Sequence, residues 1–368
     1  MSIFYIGGYQ GANAHCLHCC ELSGSGARVL SSYEVPNASY LCFSPRKAAL
    51  PLSTSQSERN LLEPERKHLY AVIESDTLEG EKGGGVAAFA VEKGGALRFI
   101  NHAPTGGEHP CHLSVSGDGR RLYVANYTGG SCAFFNVLPN GAIGERSVLI
   151  DDNRFGAPSM AVPNRQAGPH AHFIQSQSFM GTEILWLCDL GLDMLLALDS
   201  QGNELAGLNM PAGFGARHVA FHPDLPKAYV VGELGRAVAA VDYGLDVGGA
   251  LTLSGMRSTS VLQDRSENVS CAAIRISPDG KYLLVSNRGG ADSISVLALG
   301  EKGDVTGLLD VYKARGRCPR DFAFTPAGDG VLVAYQDSDF VELLHWRDGK
   351  LTDANIEMSV QKPTCVLF

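Results

Sequence analysis

The stretch Gly213–Leu234, GFGARHVAFHPDLPKAYVVGEL, decides how the rest of the chain is interpreted. Two short apolar runs, Val219–Phe221 and Ala228–Val231, flank a proline-rich turn, which is the pattern of a β-hairpin. The strands of a tight hairpin run antiparallel, so the start of the first lies beside the end of the second. The sequence therefore predicts that Arg217 lies close to Glu233.

The hairpin pattern recurs along the chain. Other copies of its first strand begin at Ser39, Cys111, His172, Ala273 and Asp321. Alignment of positions 112, 172, 218, 273 and 321 places successive copies about 46 to 60 residues apart. Most copies are followed by a third and a fourth strand pattern, and four strands at this period are typical of a β-propeller blade.

The two ends of the chain complement each other. The C-terminal run Pro363–Phe368 resembles a first strand without a partner. The N-terminal part supplies three further strand patterns, Phe4–Gly8, Ala14–Leu22 and Arg28–Val35. Joining these segments makes a seventh blade and leaves no exposed sheet edge. We therefore predict an all-β, seven-bladed propeller with four-stranded antiparallel blades, closed by pairing of the N- and C-terminal strands.

We expect residues 1–368 to form one propeller domain. A Ser-, Glu- and Arg-rich insertion at about 47–67 interrupts the first complete hairpin, and its composition indicates an exposed excursion. Hydrophobic residues at 45% and charged residues at 19% are typical of a globular protein. The formal charge of −9 disfavours nucleic acid as a partner, although a few converging arginines can still make a local pocket for a small anion.

The location of the protein is predicted from its N-terminal sequence and its cysteines. The start, MSIFYIGGYQG, has neither the basic region nor the apolar region of a signal peptide. No run approaches the roughly 18 apolar residues of a membrane helix. The ten cysteines are scattered through strand-like runs, as is typical of reduced thiols. We expect a cytoplasmic protein without membrane association, either a monomer or a weak homo-oligomer.

Polar residues occupy the two ends of the hairpins that the geometry places at one rim of the ring. The residues after the second strands are Tyr9, Glu74, Tyr127, Asp189, Glu233, Arg288 and Gln336. Those entering the first strands are Tyr40, His112, His172, Arg217, His218, Arg320 and Asp321. Inner strands line the central channel of a propeller, so these side chains are predicted to converge on one axial pocket. Their mixed chemistry suits one asymmetric ligand; the alternative is a wet channel mouth that tolerates any polar residue.

Several segments resemble the seven-bladed propeller lactonase family, which includes bacterial propeller-type 6-phosphogluconolactonases and fungal carboxy-muconate cyclases. The matching segments are PCHLSV at 110–115, LYVANYTGGS at 122–131, GPHAH at 168–172, GARHVAFHP at 215–223, VGEL at 231–234, ISPDG at 276–280, SNRG at 286–289 and GRCPRDF at 316–322. The resemblance implies a catalytic set of one His, two Arg and one Glu, which map to His170, Arg217, Glu233 and Arg288. We expect substrate contacts from His172, His112, Tyr127, His218, Arg320 and Gln336.

The resemblance implies hydrolysis of an anionic sugar lactone, with 6-phosphogluconolactone as the expected substrate. Either Glu233 or His170 could activate the water, while Arg217 and Arg288 bind an anionic group or the developing charge. Arginines beside Glu233 should lower its pKa, which favours His170 as the base. A rim ion pair between Glu233 and Arg217 without a catalytic role is the structural alternative. The same residues also suit a carboxy-muconate cycloisomerase, and a propeller scaffold that binds a protein is the non-enzyme alternative.

Metal and cofactor chemistry is not expected. The pair Cys16 and Cys19 has CxxC spacing but no matching second pair, so buried thiols are the preferred interpretation. The chain also lacks the G-x-S-x-G pattern of a serine hydrolase. The predicted reaction therefore uses only protein side chains and water.

Overall fold

The computed structural model describes residues 1–10, 15–24, 26–45, 67–262 and 268–368. Except for Lys67, the predicted insertion at about 47–67 lies outside the described residues. Within these ranges the chain forms seven four-stranded antiparallel sheets and one small two-stranded sheet. The predicted all-β seven-bladed propeller is confirmed.

The first half of the chain forms three strands of the closing blade and blades 1 to 3. The closing blade contains β1 (Ser2–Gly8), β2 (Leu17–Ser23) and β3 (Gly26–Tyr33). Blade 1 contains β4 (Leu41–Phe43), β5 (His68–Ile73), β8 (Gly85–Val91) and β9 (Leu97–Pro104), with a side hairpin of β6 (Thr77–Leu78) and β7 (Glu81–Lys82). Blade 2 contains β10 (Pro110–Val115), β11 (Arg121–Asn126), β12 (Ser131–Val137) and β13 (Ile143–Asp151). Blade 3 contains β14 (Ala171–Phe179), β15 (Thr182–Asp189), β16 (Met194–Leu198) and β17 (Glu204–Asn209).

The second half forms blades 4 to 6 and the strand that closes the ring. Blade 4 contains β18 (Ala216–Phe221), β19 (Lys227–Gly232), β20 (Ala237–Leu245) and β21 (Leu251–Ser260). Blade 5 contains β22 (Val269–Ile276), β23 (Tyr282–Gly289), β24 (Ser293–Leu299) and β25 (Val305–Lys313). Blade 6 contains β26 (Pro319–Phe324), β27 (Gly330–Tyr335), β28 (Phe340–Arg347) and β29 (Lys350–Ser359). The last strand is β30 (Pro363–Leu367).

The closing blade joins the two ends of the chain. Strand β30 pairs antiparallel with β1, with Gly7 opposite Cys365, and the sheet order is β3-β2-β1-β30. The C-terminal segment is therefore the innermost strand of this blade, as predicted. Closure makes β1 and β30 hydrogen-bonding neighbours, which removes edges that could otherwise pair with another chain.

The core lies between the faces of neighbouring blades. On β15 of blade 3, Trp186 is fully buried and belongs to one apolar cluster with Val230 on β19 of blade 4. Its ring lies 5.1 Å from that of Tyr243 on β20. Successive side chains of a strand point to opposite faces of its sheet. Because a blade has a neighbouring blade on each face, both sets of side chains in a strand such as β15 are apolar. This packing fixes the blades against each other and holds the inner strand ends around the channel.

Among the described residues, the helical segments are two short 3₁₀ turns, at Lys93–Gly95 and Asp152–Arg154. Neither offers a span long and apolar enough to cross a membrane.

Candidate active site

Six inner strands carry a β-bulge near the channel end. In β22 the pairing register shifts between Cys271 and Ile274. In the other five strands the register shifts around one residue, namely Cys111, His172, Arg217, Arg320 and Thr364. A bulge inserts a residue that the partner strand does not match, so the strand bends and the side chain is turned. All five bulged residues line one small cavity enclosed by the inner strands, here called the axial cavity. The bulges therefore direct these five side chains into the channel.

The bulges correct the alignment of the repeats. Alignment by sequence placed His112 and His218 at the position of His172, but each follows the bulged residue of its own blade by one position. Both are buried, and their rings lie 5.1 Å apart. The ring of Tyr40 packs 4.2 Å from His112. His112 and His218 thus belong to an aromatic cluster in the channel, and their predicted substrate contacts stay a prediction.

Three guanidinium groups converge on the carboxylate of Glu233. Arg217 Nε lies 2.9 Å and Arg288 Nη2 lies 2.7 Å from Glu233 Oε2. Arg165 Nη2 lies 2.6 Å from the other oxygen, Oε1. His172 Nε2 is 3.7 Å from Oε2. The predicted contact between Arg217 and Glu233 is present, and it belongs to a larger group of charges.

The electrostatics of this group keep Glu233 ionised. Burial raises the pKa of its carboxyl, but Arg288 and Arg217 outweigh burial and, with smaller contributions from His172 and Arg165, hold the pKa well below its usual range. Burial and Arg288 lower the pKa of Arg217 to about 10, so this guanidinium remains charged at neutral pH. A carboxylate with a low pKa and three cationic partners is a poor proton acceptor. Glu233 is suited to organise the arginines.

His172 is a neutral imidazole at neutral pH. Burial, followed by the charge of Arg217, lowers its pKa well below the ordinary value. Its Nδ1 faces the Cys111 thiol at 3.8 Å, and its ring lies edge-on to Tyr127 at 5.2 Å. It therefore contributes a wall of the channel next to Glu233 without adding a charge.

His170 lies outside the buried charge group and packs on the ring of Tyr127. The two rings are stacked, with centroids 4.6 Å apart and planes inclined by 13°. His170 Nδ1 lies 3.0 Å from the backbone oxygen of Tyr127. A carbonyl oxygen only accepts hydrogen bonds, so this contact places the proton of neutral imidazole on Nδ1 and leaves a lone pair on Nε2. The tautomer is the one required of a general base.

Two buried carboxyl groups lie behind His170. Asp189 Oδ1 accepts hydrogen bonds from the backbone N–H groups of His170, at 2.9 Å, and Leu192, at 2.8 Å. Burial raises the pKa of both Asp189 and Asp152, and the charge of Asp189 raises that of Asp152 further. Two like charges in a dry site do not both ionise readily, so the pair favours sharing one proton. Asp189 thus fixes the backbone of His170.

Arg165 was missed by sequence analysis. It lies between β13 and β14, outside any strand, so the hairpin register gives it no position. Besides Glu233, its Nη2 contacts the Tyr127 hydroxyl at 3.2 Å. Its side chain is 40% exposed, whereas that of Arg217 is 4% exposed. The available signal was only its location five residues before His170, in a proline-containing connection.

Arg320 belongs to a second polar chain that opens on the axial cavity. Its Nη2 donates to the Tyr9 hydroxyl at 2.8 Å, and Tyr9 donates to Glu74 Oε2 at 2.8 Å. The hydroxyl of Ser39 also donates to Glu74. Gln336 is farther out and donates to Asp337 Oδ1 at 3.1 Å. The substrate contacts predicted for Arg320 and Gln336 stay predictions.

A larger cavity of about 430 Å³ opens above Glu233 and is here called the mouth cavity. Its lining residues are Arg165, Glu233, Ser270, Arg288, Gly289, Asp292, Arg317, Cys318 and Asp337. The volume suits a small ligand. Guanidinium groups surround Glu233, while Asp292 and Asp337 supply carboxylate oxygens to the same cavity. This lining suits a ligand that carries both an anionic group and hydroxyl groups.

Metal-ligating residue types are not grouped in threes anywhere in the described ranges. The CxxC cysteines, Cys16 and Cys19, are both buried, and burial raises the pKa of each thiol. Cys16 Sγ donates to the backbone oxygen of Gln10 at 3.1 Å. Both cysteines are therefore in the thiol form at neutral pH.

Comparison with known proteins agrees with this architecture. The family model described as "Lactonase, 7-bladed beta-propeller" matches residues 60–368. A 6-phosphogluconolactonase of Bacillus subtilis is 30% identical over 93% of this chain and 95% of its own length. A 6-phosphogluconolactonase of Formosa agariphila is 33% identical over 81% of this chain and 84% of its own length.

A solved structure is also similar along nearly the whole chain. The periplasmic gluconolactonase of Pseudomonas aeruginosa has a TM-score of 0.83 and 25% identity, covering 99% of this chain and 98% of that chain. Because this similar protein is periplasmic, the cytoplasmic location predicted here stays a prediction. The chain belongs to the seven-bladed β-propeller lactonase family.

Proposed function

We propose that this protein hydrolyses 6-phosphogluconolactone to 6-phosphogluconate at the channel mouth, between the mouth cavity and His170, which stacks on the Tyr127 ring beside Arg165. The observation that carries the proposal is the convergence of Arg165, Arg217 and Arg288 on the single carboxylate of Glu233. Immediately around Glu233, three guanidinium groups against one carboxylate leave an excess of positive charge, although Asp292 and Asp337 line the same mouth cavity and the whole chain has a formal charge of −9. A local positive site in an acidic protein favours a small anionic substrate. The names of the B. subtilis and F. agariphila relatives support this substrate.

His170 is the proposed general base. Its Nδ1–H is held by the Tyr127 carbonyl, so Nε2 is the nitrogen that accepts a proton from water. The water oxygen then forms a bond to the lactone carbonyl carbon, and the carbonyl becomes an oxyanion. When the tetrahedral intermediate collapses, the ring C–O bond breaks and His170 returns its proton to the departing alkoxide oxygen. The products are a hydroxyl group and a carboxylic acid, which becomes the carboxylate by releasing its proton to solvent, and the imidazole is regenerated.

Arg288 is the proposed donor to the oxyanion. Its Nη2 is engaged by Glu233, while its buried Nε–H has no hydrogen-bond partner among the described residues. An unpaired charged donor beside a carboxylate that fixes the guanidinium is pre-organised to stabilise developing negative charge. Arg217 supports this geometry from the buried side, because it shares Glu233 Oε2 with Arg288.

The lining of the mouth cavity bears on the two alternatives. Carboxy-muconate has no hydroxyl group, whereas a sugar lactone has hydroxyl groups from which Asp292 and Asp337 can accept hydrogen bonds. A protein-binding scaffold would have no need of the tautomer fixed at His170. Both features favour lactone hydrolysis.

The test is a direct assay of the purified full-length chain. Acid release from 6-phosphogluconolactone, from gluconolactone and from the lactone form of carboxy-muconate is followed against the spontaneous rate in the same buffer. We expect clear acceleration with 6-phosphogluconolactone, and a higher kcat/KM for it than for gluconolactone. Hydrolysis of neither sugar lactone above the spontaneous rate would overturn the proposal, and turnover of the muconate derivative alone would identify the cycloisomerase.

A further inference from the structure

Arg165 differs from the other two arginines on Glu233 in its position and its freedom. Arg217 is on β18 and Arg288 is on β23, and their side chains are 4% and 15% exposed. Arg165 reaches the same carboxylate from the connection between blades 2 and 3, and its side chain is 40% exposed. It is the guanidinium of the group that most faces the mouth cavity.

The backbone beneath Arg165 is held in place. Gln166 is fully buried; its side-chain amide donates to the Leu190 backbone oxygen at 2.8 Å and its Oε1 accepts from the Val162 N–H at 3.0 Å. The Arg165 N–H closes the turn by donating to the Val162 oxygen at 2.8 Å. The side chain therefore extends from a fixed base, and only its own rotations are needed to move its guanidinium within the cavity.

Glu233 stays paired if Arg165 leaves it to bind another anion. Arg165 contacts Oε1, whereas Arg217 and Arg288 both contact Oε2. If Arg165 turned to another anion, two guanidinium groups would still hold the carboxylate. Removal of Arg217 or Arg288 from Oε2 would instead disrupt a buried ion pair, which is far more costly.

We propose that Arg165 recognises the phosphate of the substrate: it is held by Glu233 and Tyr127 in the free protein and transfers its charged N–H groups to the phosphate on binding. The inference rests on the proposed function and adds to it the residue that selects a phosphorylated lactone. A guanidinium presents several donors in a planar fork, which matches the oxygens of a phosphate. The transfer leaves Arg217 and Arg288 paired with Glu233, so that Arg288 keeps its position as the donor to the lactone oxyanion.

The experiment compares Arg165→Ala, Arg165→Lys and the unmodified chain on two lactones that differ only in the phosphate. We expect the ratio of kcat/KM for 6-phosphogluconolactone to kcat/KM for gluconolactone to fall about 10- to 100-fold in Arg165→Ala, the size of one lost charge-assisted contact. Arg165→Lys should lose less, because an ammonium keeps the charge without the fork.

Arg154→Ala is the matched control, because Arg154 is exposed at the start of the same connection and packs over the ring of Phe155, 5.3 Å from its centroid. The ratio should stay unchanged in that variant. An equal loss on both lactones in Arg165→Ala would overturn the inference, since Arg165 would then act only through Glu233. An unchanged ratio would overturn it as well.

Calorimetric binding separates this inference from the proposed reaction. The products 6-phosphogluconate and gluconate are titrated into the unmodified chain, Arg165→Ala and Arg154→Ala. Selective weakening of 6-phosphogluconate binding in Arg165→Ala supports the phosphate contact even if no lactone is hydrolysed. Equal binding of 6-phosphogluconate by all three proteins overturns it, even if lactone hydrolysis is observed.

Discussion

The two ends of the inner hairpins follow opposite rules. At the turn end, three blades use the same type of contact, in which a Ser or Thr hydroxyl donates to an Asp carboxylate two or four residues later. The pairs are Ser116–Asp118 at 2.6 Å, Ser277–Asp279 at 2.5 Å and Thr325–Asp329 at 3.0 Å. At the channel end, five blades repeat a bulge around one residue but change the bulged residue from blade to blade. The repeated turn contact belongs to the scaffold, whereas the bulged residues, which differ between blades, belong to the candidate site.

The bulge explains why the channel end can vary. In a regular strand, each residue must fit the ladder and the packing of one face, and a change of side chain disturbs both. The bulged residue is not matched by the partner strand, so its side chain is set by the cavity it faces. A thiol at Cys111, an imidazole at His172 and a guanidinium at Arg217 therefore occupy equivalent positions in otherwise similar hairpins.

The largest effect should come from removing the proposed base at the channel end. His170→Asn keeps an amide N–H that can donate to the Tyr127 carbonyl but has no basic nitrogen. We expect kcat for 6-phosphogluconolactone to fall about 10²- to 10⁴-fold, the usual contribution of general base catalysis, with a small change in KM. Steady-state kinetics and the melting temperature are measured together.

His222→Asn is the control from the turn end of a hairpin. His222 Nδ1 accepts hydrogen bonds from the N–H groups of Asp224 and Leu225, at 3.1 and 3.2 Å. This variant should keep kcat and lose a small amount of stability. A loss of kcat below tenfold in His170→Asn would contradict the role of His170 as base.

A second prediction compares the carboxylate of the site with a buried carboxylate of the scaffold. Glu233→Gln removes the only negative charge that three guanidinium groups share, so these should repel one another and the oxyanion donor should lose its position. We expect kcat/KM to fall about 100-fold, as for the loss of one oxyanion donor. The free energy of unfolding should fall by about 3 kcal/mol, because buried charges lose their partner.

Glu342→Gln on β28 is the matched scaffold variant. Glu342 is buried, accepts from the Tyr335 hydroxyl at 2.7 Å and pairs with Arg315 at 3.1 Å. It should lose stability but retain kcat/KM. Equal catalytic losses in the two variants would mean that the Glu233 group acts only through the fold.

The fold could be predicted from the sequence because the same hairpin pattern recurs along the chain. Alternating apolar runs, turn residues and the complementary ends were sufficient for seven blades and for the pairing of β1 with β30. Hairpin register also predicted the contact between Arg217 and Glu233, because both residues are at the ends of paired strands. These predictions depend on local pattern and periodicity, which are visible in one sequence.

The bulges and the contact between Arg165 and Glu233 could be recognised only from the structure. A bulge shifts the register by one residue without a clear composition signal, so the sequence alignment placed His112 and His218 where Cys111 and Arg217 belong. Arg165 reaches Glu233 of blade 4 from the connection between blades 2 and 3, which has no periodicity, so no pattern relates it to the site. The repeat therefore specifies the scaffold, whereas irregular backbone completes the candidate site.

The smallest predicted effect concerns the buried imidazoles at the channel end. Burial is the main reason that the pKa of His112 is lowered to about 3, and burial followed by Arg217 lowers the pKa of His218 well below its ordinary value. In the unfolded chain these groups take up protons below about pH 6.5, whereas in the folded chain they stay neutral. Their contribution to stability is therefore complete above that pH and is lost as the pH falls.

His218→Phe tests this contribution, because Phe can replace the imidazole in the aromatic packing with Tyr40, His112 and Phe173 without binding a proton. Asp152 and Asp189, whose pKa values are raised, have the opposite effect on the pH dependence of stability, so the comparison uses the difference between the two proteins. Between pH 6.5 and pH 5, measured by chemical denaturation, the unmodified chain should lose roughly 1.6 kcal/mol of unfolding free energy relative to the variant, with a slope that approaches about 1.4 kcal/mol per pH unit at the acidic end. A difference that does not change with pH would mean that the His218 imidazole accepts a proton within the folded channel, and the channel end would then be wetter than its packing indicates.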